Sequence, residues 1–472
     1  MHKRNATLTA AILLALGGCA VGPDYVRPDS PLVPADYKYA SAGDYQRGRV
    51  DPKFWTLFDD PTLIEVVEKA LARAYDIRIA EAQFRQARAL RREARWQGLP
   101  DLSLEAGKTR SSQSQAEFFG PDESFRKQDL YDLGFDASWE LDLWGGARRY
   151  REAISADVQA SAARLADVQV LVAAETARYY LEMRGFQRRL AAARANVESQ
   201  AETLKLTRVR LDAGSGTELD VSRAEAQYQG SLAQIPALEQ QLQSAAGTVA
   251  FLTTDSGYDL GPRMLSTPSQ LRMPRQLAID APAELLRRRP DVVAAERDLA
   301  AATARIGLNV AGLFPRVSLM GGFGWTADSA GDLGDSSSER YRFGPSLSWG
   351  LINIGETRAR ILGAEAKADE QLARYERVVY QALLETENTL AGYRRARQTR
   401  EAAAAAAAAA GEAARLARVR FDAGVSDFFV VLDAERVKFT AEDQLAQAET
   451  AEGTALVALY KAMGGGFFNS GP

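Results

Sequence analysis

The sequence predicts a mainly α-helical chain that also supplies strands to a transmembrane β-barrel, built from a helix–β-hairpin–long-helix unit that occurs twice. Three observations carry that prediction. Trp139–Arg148 (WELDLWGGAR) recurs as Trp349–Arg358 (WGLINIGETR); at the same interval Val209–Gly214 recurs as Val419–Gly424, and Ala224-Glu225 as Ala434-Glu435. Each copy ends a segment of polar–apolar alternation, the pattern of a strand with two unlike faces. Each then opens a stretch, residues 146–212 or 356–422, that lacks proline and is poor in glycine. At about 1.5 Å per residue a helix of that length reaches about 100 Å.

The N-terminus reads as a secretory leader over residues 1–18. Lys3 and Arg4 precede an apolar run from Ala6 to Leu16, too short to span a bilayer. Leu16-Gly-Gly-Cys19 resembles a bacterial lipobox, which implies acylation of Cys19. Cys19 is the only cysteine, so an anchored chain can form no internal disulfide. Ala20 follows it in place of Asp, which in the sorting rule it resembles favours transfer to an outer membrane. Residues 19–61, with Pro23, Pro28, Pro31, Pro34 and Pro52, read as an extended tether whose end is pinned by Trp55, Phe58 and Leu63.

The first repeat is expected over residues 62–254. A helix from Thr62 to Gln97 stops at Gly98 and Pro100, and a hairpin occupies 100–143. Its clearest strand is Tyr131–Leu143, in which Tyr131, Leu133, Phe135, Ala137, Trp139, Leu141 and Leu143 alternate with Asp132, Gly134, Asp136, Ser138, Glu140 and Asp142. About 13 residues is long beside the usual 5–6 of a globular strand, and aromatic residues fall near both ends of its apolar face, as in lipid-interface girdles. The leading strand is read over Leu102–Ala106, and a polar loop over Ser111–Asp129. Long helices follow over Gly146–Asp212 and Glu218–Leu252, reversing at Asp212-Ala-Gly214. A linker with four prolines spans 255–282, and the second repeat occupies 283–464. In it a helix over Pro282–Gly312 precedes a hairpin over 315–352 (Val317–Trp325 and Tyr341–Leu351), whose polar face carries Arg342. Helices over Glu356–Asp422 and Asp427–Met463 complete it, and 465–472 form a tail. Leu372, Tyr375, Val379, Leu383, Thr386, Leu390 and Tyr393 recur at coiled-coil spacings.

Composition narrows the function. A net charge of −4 does not indicate a nucleic-acid surface, and beyond the leader no run of about 18 apolar residues could form a membrane helix. Only a β-barrel could take this chain through a bilayer. Four strands cannot close one, so copies must associate: eight strands from two chains would be filled by side chains, whereas twelve from three would leave a lumen. The acidic and glycine-rich inner faces favour three. Asp132, Asp136, Glu140 and Asp142 also invite a reading as acid–base carboxylates, but their alternation along a strand fits a solvated lumen face. The only histidine, His2, lies in the leader, which leaves metal and nucleophile–histidine chemistry no histidine and argues against an enzyme.

With the lipobox and the duplicated plan, Arg289-Pro-Asp-Val-Val-Ala-Ala-Glu296, Phe314-Pro315 and Leu459-Tyr-Lys-Ala-Met-Gly-Gly465 resemble the outer-membrane factors of tripartite efflux systems, of the NodT type. The resemblance covers essentially all of the mature chain. It implies a homotrimer with a 12-stranded barrel and a periplasmic α-helical tunnel, anchored in outer-membrane lipid and docked to a periplasmic adaptor and an inner-membrane pump, usually of the RND class. It implies no cofactor and no catalysis. The family's constriction, carried over by motif, falls on Phe429, Asp433 and Arg436, which at i, i+4 and i+7 share one helix face. Phe428–Val431 is more apolar than the family pattern, pointing to a more hydrophobic gate. Arg420, Phe421, Asp212 and Asp220 at the two turns are candidate helix latches, and Arg223 is the repeat counterpart of Asp433. A duct for type I protein secretion and a lipid-anchored coiled coil that never crosses the membrane are the alternatives.

Overall fold

The computed structural model of the chain describes residues 20–28, 33–40, 45–48, 50–112, 114, 116, 127–254, 273–274 and 277–465. The leader, Cys19, most of the 255–282 linker and residues 466–472 lie outside the described residues. In chain order the elements are β1 (Tyr45–Arg47), a short 3-10 helix (Phe54–Phe58), α1 (Pro61–Arg73), α2 (Tyr75–Trp96), β2 (Asp101–Ser112), β3 (Lys127–Glu140), α3 (Gly146–Asp212), α4 (Glu218–Leu232) and α5 (Ile235–Leu252). The second half holds β4 (Leu277–Ile279), α6 (Pro282–Arg288), α7 (Pro290–Ala311), β5 (Arg316–Ala327), β6 (Glu339–Ser348), α8 (Ile354–Asp422) and α9 (Phe428–Ala462), with a 3-10 turn at Ala330–Asp332. No described helix is long and apolar enough to cross a membrane.

The chain divides into two compact units, and α3 and α8 contribute residues to both. One unit draws on residues 1–29, 84–161 and 295–375, as far as they are described. It holds an antiparallel sheet in the order β2-β3-β5-β6. β2 pairs with β3 from Asp101↔Ser138 to Ser112↔Lys127 and β5 reaches Ala327 opposite Tyr131, so these two strands are longer than the alternation alone predicts, whereas β3 and β6 end at Glu140 and Ser348, short of the expected Leu143 and Leu351. Residues 20–22, expected as part of an extended tether, are held by specific hydrogen bonds. Val21 N–H donates to the Trp144 carbonyl at 3.1 Å, and Arg149 donates to the Val21 and Gly22 carbonyls and to Asp24. The backbone of Gly22 (φ +87°) lies against Gly307, where an added Cβ would meet Gly307 Cα at 2.4 Å.

The other unit draws on residues 30–83, 162–294 and 376–472. Its core gathers Phe54, Trp55, Phe58, Leu63, Tyr180, Leu181, Leu390, Leu456 and Tyr460, all within a few per cent of full burial. Phe54 stacks on Tyr460 at 5.5 Å. Asp60 caps α1 through Thr62 and Leu63 N–H, and its second oxygen accepts from the buried Tyr180 hydroxyl at 2.7 Å. The end of the tether is therefore not merely pinned; β1 also pairs in parallel with β4.

Three expected helices are broken. Pro290 lacks an N–H and pushes Arg289 into the extended region (ψ 122°), separating α6 from α7. Ala74, its repeat counterpart, breaks α1 from α2 in the same way (ψ 137°) without a proline. Pro236 opens α5 and ends α4 before it, whereas α9, which has Ala446 at the equivalent place, runs unbroken. The extended Arg289 puts its buried guanidinium on the Ala462 carbonyl at the end of α9 (2.7 Å), on Asp291 (2.7 Å) and on Glu385 (2.8 Å). Arg289→Ala would free that carbonyl and two carboxylates at once and is expected to cost about 2–3 kcal/mol, seen as a lowered unfolding midpoint of the detergent-solubilised protein.

Candidate functional site

The sheet has one apolar and one polar face. Tyr131, Leu133, Phe135, Ala137 and Trp139 of β3 register with Ala327, Trp325, Phe323, Gly321 and Leu319 of β5, and these with Glu339, Tyr341, Phe343 and Pro345 of β6. Tyr341 and Phe343 are 73% and 74% exposed, an apolar surface that water would penalise and lipid would not. Trp139 and Trp349 mark the helix-side end of this face; their indole N–H groups donate to the Gly98 and Leu313 carbonyls, equivalent positions in the two repeats.

The polar face carries Asp132, Gly134, Asp136, Ser138 and Glu140 beside Thr326, Gly324, Gly322, Met320 and Ser318. Asp132 accepts from the Thr326 hydroxyl at 2.6 Å. Asp136, Gly322 and Arg342 lie in one row across three strands, and the absent side chain at Gly322 lets Arg342 approach Asp136 to 3.7 Å. A Cβ there would lie 2.7 Å from the Asp136 carboxylate. Glu140 is exposed at the end of β3. Asp142 is a correction to the lumen assignment: β3 has ended, and its two oxygens accept from Ala147 and Arg148 N–H, both at 3.0 Å, capping α3.

The second candidate site is at the helix turns, wholly within the other unit. Gly214 (φ +71°) and Gly424 (φ +75°) take the left-handed conformation that reverses each hairpin. Beneath them Phe421, Phe428, Val431, Leu432, Leu204 and Ala224 form an apolar cluster, with Phe421 and Phe428 at 5.2 Å. Of the expected latches, Phe421 is buried in this cluster with the Arg210 guanidinium 4.2 Å above its ring. Asp220 closes a capping box with Thr217, and Asp212 and Arg420 are exposed at the helix ends.

Phe429, Asp433 and Arg436 do share a face of α9. Asp433 accepts from Arg436 at 2.7 Å, with both side chains about half exposed. The Phe429 ring, 50% exposed, lies under the Arg223 guanidinium at 5.1 Å. Arg223 therefore meets the aromatic rather than its own counterpart Asp433. Sequence reasoning missed a matched pair of interhelix ion pairs, Arg208–Glu225 at 2.6 Å and Arg418–Glu435 at 3.5 Å. The signal was present: these arginines adjoin the recurring VR(L/F)DAG, and the glutamates close the recurring Ala-Glu. Glu435 is the more enclosed, and one of its oxygens has no hydrogen-bond partner. Burial, opposed by Arg418 and Lys438, raises its carboxyl above the ordinary range.

A sheet with two open edges, a lipid-compatible face and a charged face, carried by a chain of very long helices, defines a component of an outer-membrane channel. The family model described as outer membrane efflux protein matches residues 66–254 and 281–465, and the chain belongs to that family. It is 30% identical to nodulation protein T of Rhizobium leguminosarum bv. trifolii, over 96% of each chain. It is likewise 30% identical to the toluene efflux pump outer membrane protein TtgI of Pseudomonas putida, over 96% of this chain and 97% of that one. Among solved structures it resembles the outer-membrane channel OprN with a TM-score of 0.87 at 39% identity, over 95% of this chain and 99% of that one. The chain is thus the outer-membrane channel component of an efflux system, and the family is one of conduits rather than catalysts. Its partners are further copies of itself, a periplasmic adaptor and an inner-membrane pump.

Phe421→Ala is expected to cost about 3 to 5 kcal/mol locally, read as faster amide exchange at both turns with the sheet unchanged. Because the folded Glu435 carboxyl titrates above its unfolded value, its contribution to stability is fully present below the unfolded value and is lost as pH rises through the folded one. Glu435→Gln should therefore raise the midpoint of unfolding at neutral pH, and the gain should shrink as pH falls into the ordinary carboxylate range.

Proposed function

We propose that three copies of the chain, each acylated at Cys19, close a twelve-stranded barrel and continue it as a periplasmic duct for small molecules, gated by the face of α9 that holds Phe429, Asp433 and Arg436. The observation that carries this reading is the four-stranded sheet with unpaired edges on β2 and β6 and one apolar face. Lipid tolerates no open edge, and three such sheets make a barrel wide enough for a lumen. The polar face, with Asp132, Asp136, Glu140 and Arg342, lines the water path.

At the turns, three copies of Phe429 and of the Asp433–Arg436 pair narrow the duct. A ring of Asp433 carboxylates favours cations, and Arg223 holds each Phe429 from the neighbouring hairpin. Displacing Arg223 frees the aromatic, and this is how an adaptor pressing on the turns opens the path. The chain itself performs no catalysis; the inner-membrane partner, of the RND class, supplies the energy and selects the cargo. The name of the relative TtgI, a toluene pump component, supports small apolar molecules as the cargo class.

Planar-bilayer recording tests this. The purified protein should insert as trimers with low conductance, and Asp433→Ala with Arg436→Ala should raise conductance several-fold. Unchanged conductance in that double variant would remove the gate assignment, and a protein that never inserts would remove the barrel.

A further inference from the structure

At the end of the sheet away from the helices, the lipid-compatible face of the first hairpin stops being apolar. On β2 that face is carried by Leu102, Leu104, Ala106, Lys108, Arg110 and Ser112, which stand opposite Ala137, Phe135, Leu133, Tyr131, Asp129 and Lys127 of β3. Lys108, Arg110 and Lys127 thus put three cations in the last three rows. Lys108 and Arg110 each lie 3.4 Å from the Asp129 carboxylate, and their side chains are 51% and 76% exposed. The Lys108 ammonium also sits 4.9 Å from the centre of the Tyr131 ring, and Lys127 is exposed. Among the described residues of these rows one carboxylate faces three cations, so the patch keeps a net positive charge.

Depth places these rows. From Trp139 to Asp129 the strand rises about 34 Å at about 3.4 Å per residue, which at a tilt of about 40° covers about 26 Å of membrane. The outward apolar band of such a barrel is about 25 Å tall. With Trp139 at the helix-side interface, Lys108 and Arg110 therefore reach the opposite one, at headgroup level, where a lipid-facing cation costs little. The charge belongs to the first repeat alone. The counterparts of Lys108 and Arg110 in the second hairpin are Phe323 and Trp325, opposite Tyr341 and Glu339 as the cations are opposite Tyr131 and Asp129. The position accepts an aromatic residue, and the first repeat has cations there instead. On the other face of the same stretch Thr109 and Ser111 are uncharged, so the cations do not line the water path. Pairing at the β2 edge uses backbone groups and leaves the side chains of this face uncovered.

We propose that Lys108, Arg110 and Lys127 bind the phosphate groups of the outer-leaflet glycolipid, giving one site per copy around the barrel. This rests on the barrel reading above and names a ligand for its outer surface. The Arg110 guanidinium offers a fork to two phosphate oxygens, and the two lysines add point charges. Asp129 bridges Lys108 and Arg110 and so keeps them side by side. The apolar row beneath, Ala106, Leu133 and Trp325, takes the acyl chains of the same lipid.

Native mass spectrometry of the full-length protein in mild detergent tests this, with diphosphorylated lipid A and its dephosphorylated form as probes. The wild-type protein should bind the diphosphorylated lipid about tenfold more tightly. Lys108→Gln combined with Arg110→Gln and Lys127→Gln should remove that preference. Equal binding of the two lipids by the wild-type protein would overturn the site, and that comparison needs no variant to fold. A triple variant that keeps the wild-type preference would place the phosphates on other residues and overturn the assignment. Inorganic phosphate bound as tightly as lipid A would mark a site for a free anion and overturn the lipid. A wild-type protein that stays in solution without detergent and enters no bilayer would overturn the barrel itself, whereas inserted protein indifferent to the phosphates would overturn the site alone.

Discussion

How this chain can cross a membrane follows from the unpaired backbone of two strands. The outer edges of β2 and β6 present rows of N–H and C=O groups that water can satisfy and hydrocarbon cannot, so a chain carrying this sheet can enter a bilayer only with copies of itself. The side chains accept that outcome. Tyr341, Phe343 and Leu347 stay exposed on one face, while glycines on the other leave room for Asp136 and Arg342 to meet across the strand between them. The exposed apolar face would not be sensible in a sheet that remained in water.

The helical part meets a different constraint. A hairpin of long helices gains little from the amphipathic pattern of any one helix and depends on where its ends are fixed. In the unit that holds the turns, one end of the packing is the Phe54–Tyr460 core, with Arg289 fastened to the last carbonyl of α9. The other is the Phe421–Phe428 cluster under the left-handed glycines. Between them the repeats diverge. Pro236 interrupts the returning helix of the first hairpin, and the second hairpin returns without a break. Two hairpins of common ancestry thus differ in the continuity of the returning helix as well as in the Arg223-for-Asp433 exchange at their tips.

That exchange illustrates how a local motif can be right in its letters and incomplete in its contacts. Asp433 and Arg436 bond along their own helix, an exposed i,i+3 pair worth a few tenths of a kcal/mol. Between the hairpins at this level, Arg223 lies on Phe429 and the Gln227 amide donates to the Leu432 carbonyl at 3.3 Å, whereas the two helices of the second hairpin are joined by Arg418–Glu435. Enclosure of Glu435 makes the latter the more costly to hold as an ion pair, so it is poised to respond to a change in the packing around the turns.

The repeat, the two long proline-free helices and the alternation of Tyr131–Leu143 are local periodicities, and each is written in residues a few positions apart. The sequence alone therefore determined the element types, the two faces of β3 and the need for partners. It could not set the length of β2, because Gly107–Ser112 is polar on both faces and is a strand only through hydrogen bonds to β3. It placed Asp142 on the lumen by alternation, whereas the start of α3 supplied N–H groups that alternation does not represent. The tether, marked only by prolines, was held by Arg149 and by β4, contacts far away in the chain. Strand order, capping and the facing of Arg223 on Phe429 were decided by tertiary structure, because each depends on which distant groups are brought within hydrogen-bonding or van der Waals reach.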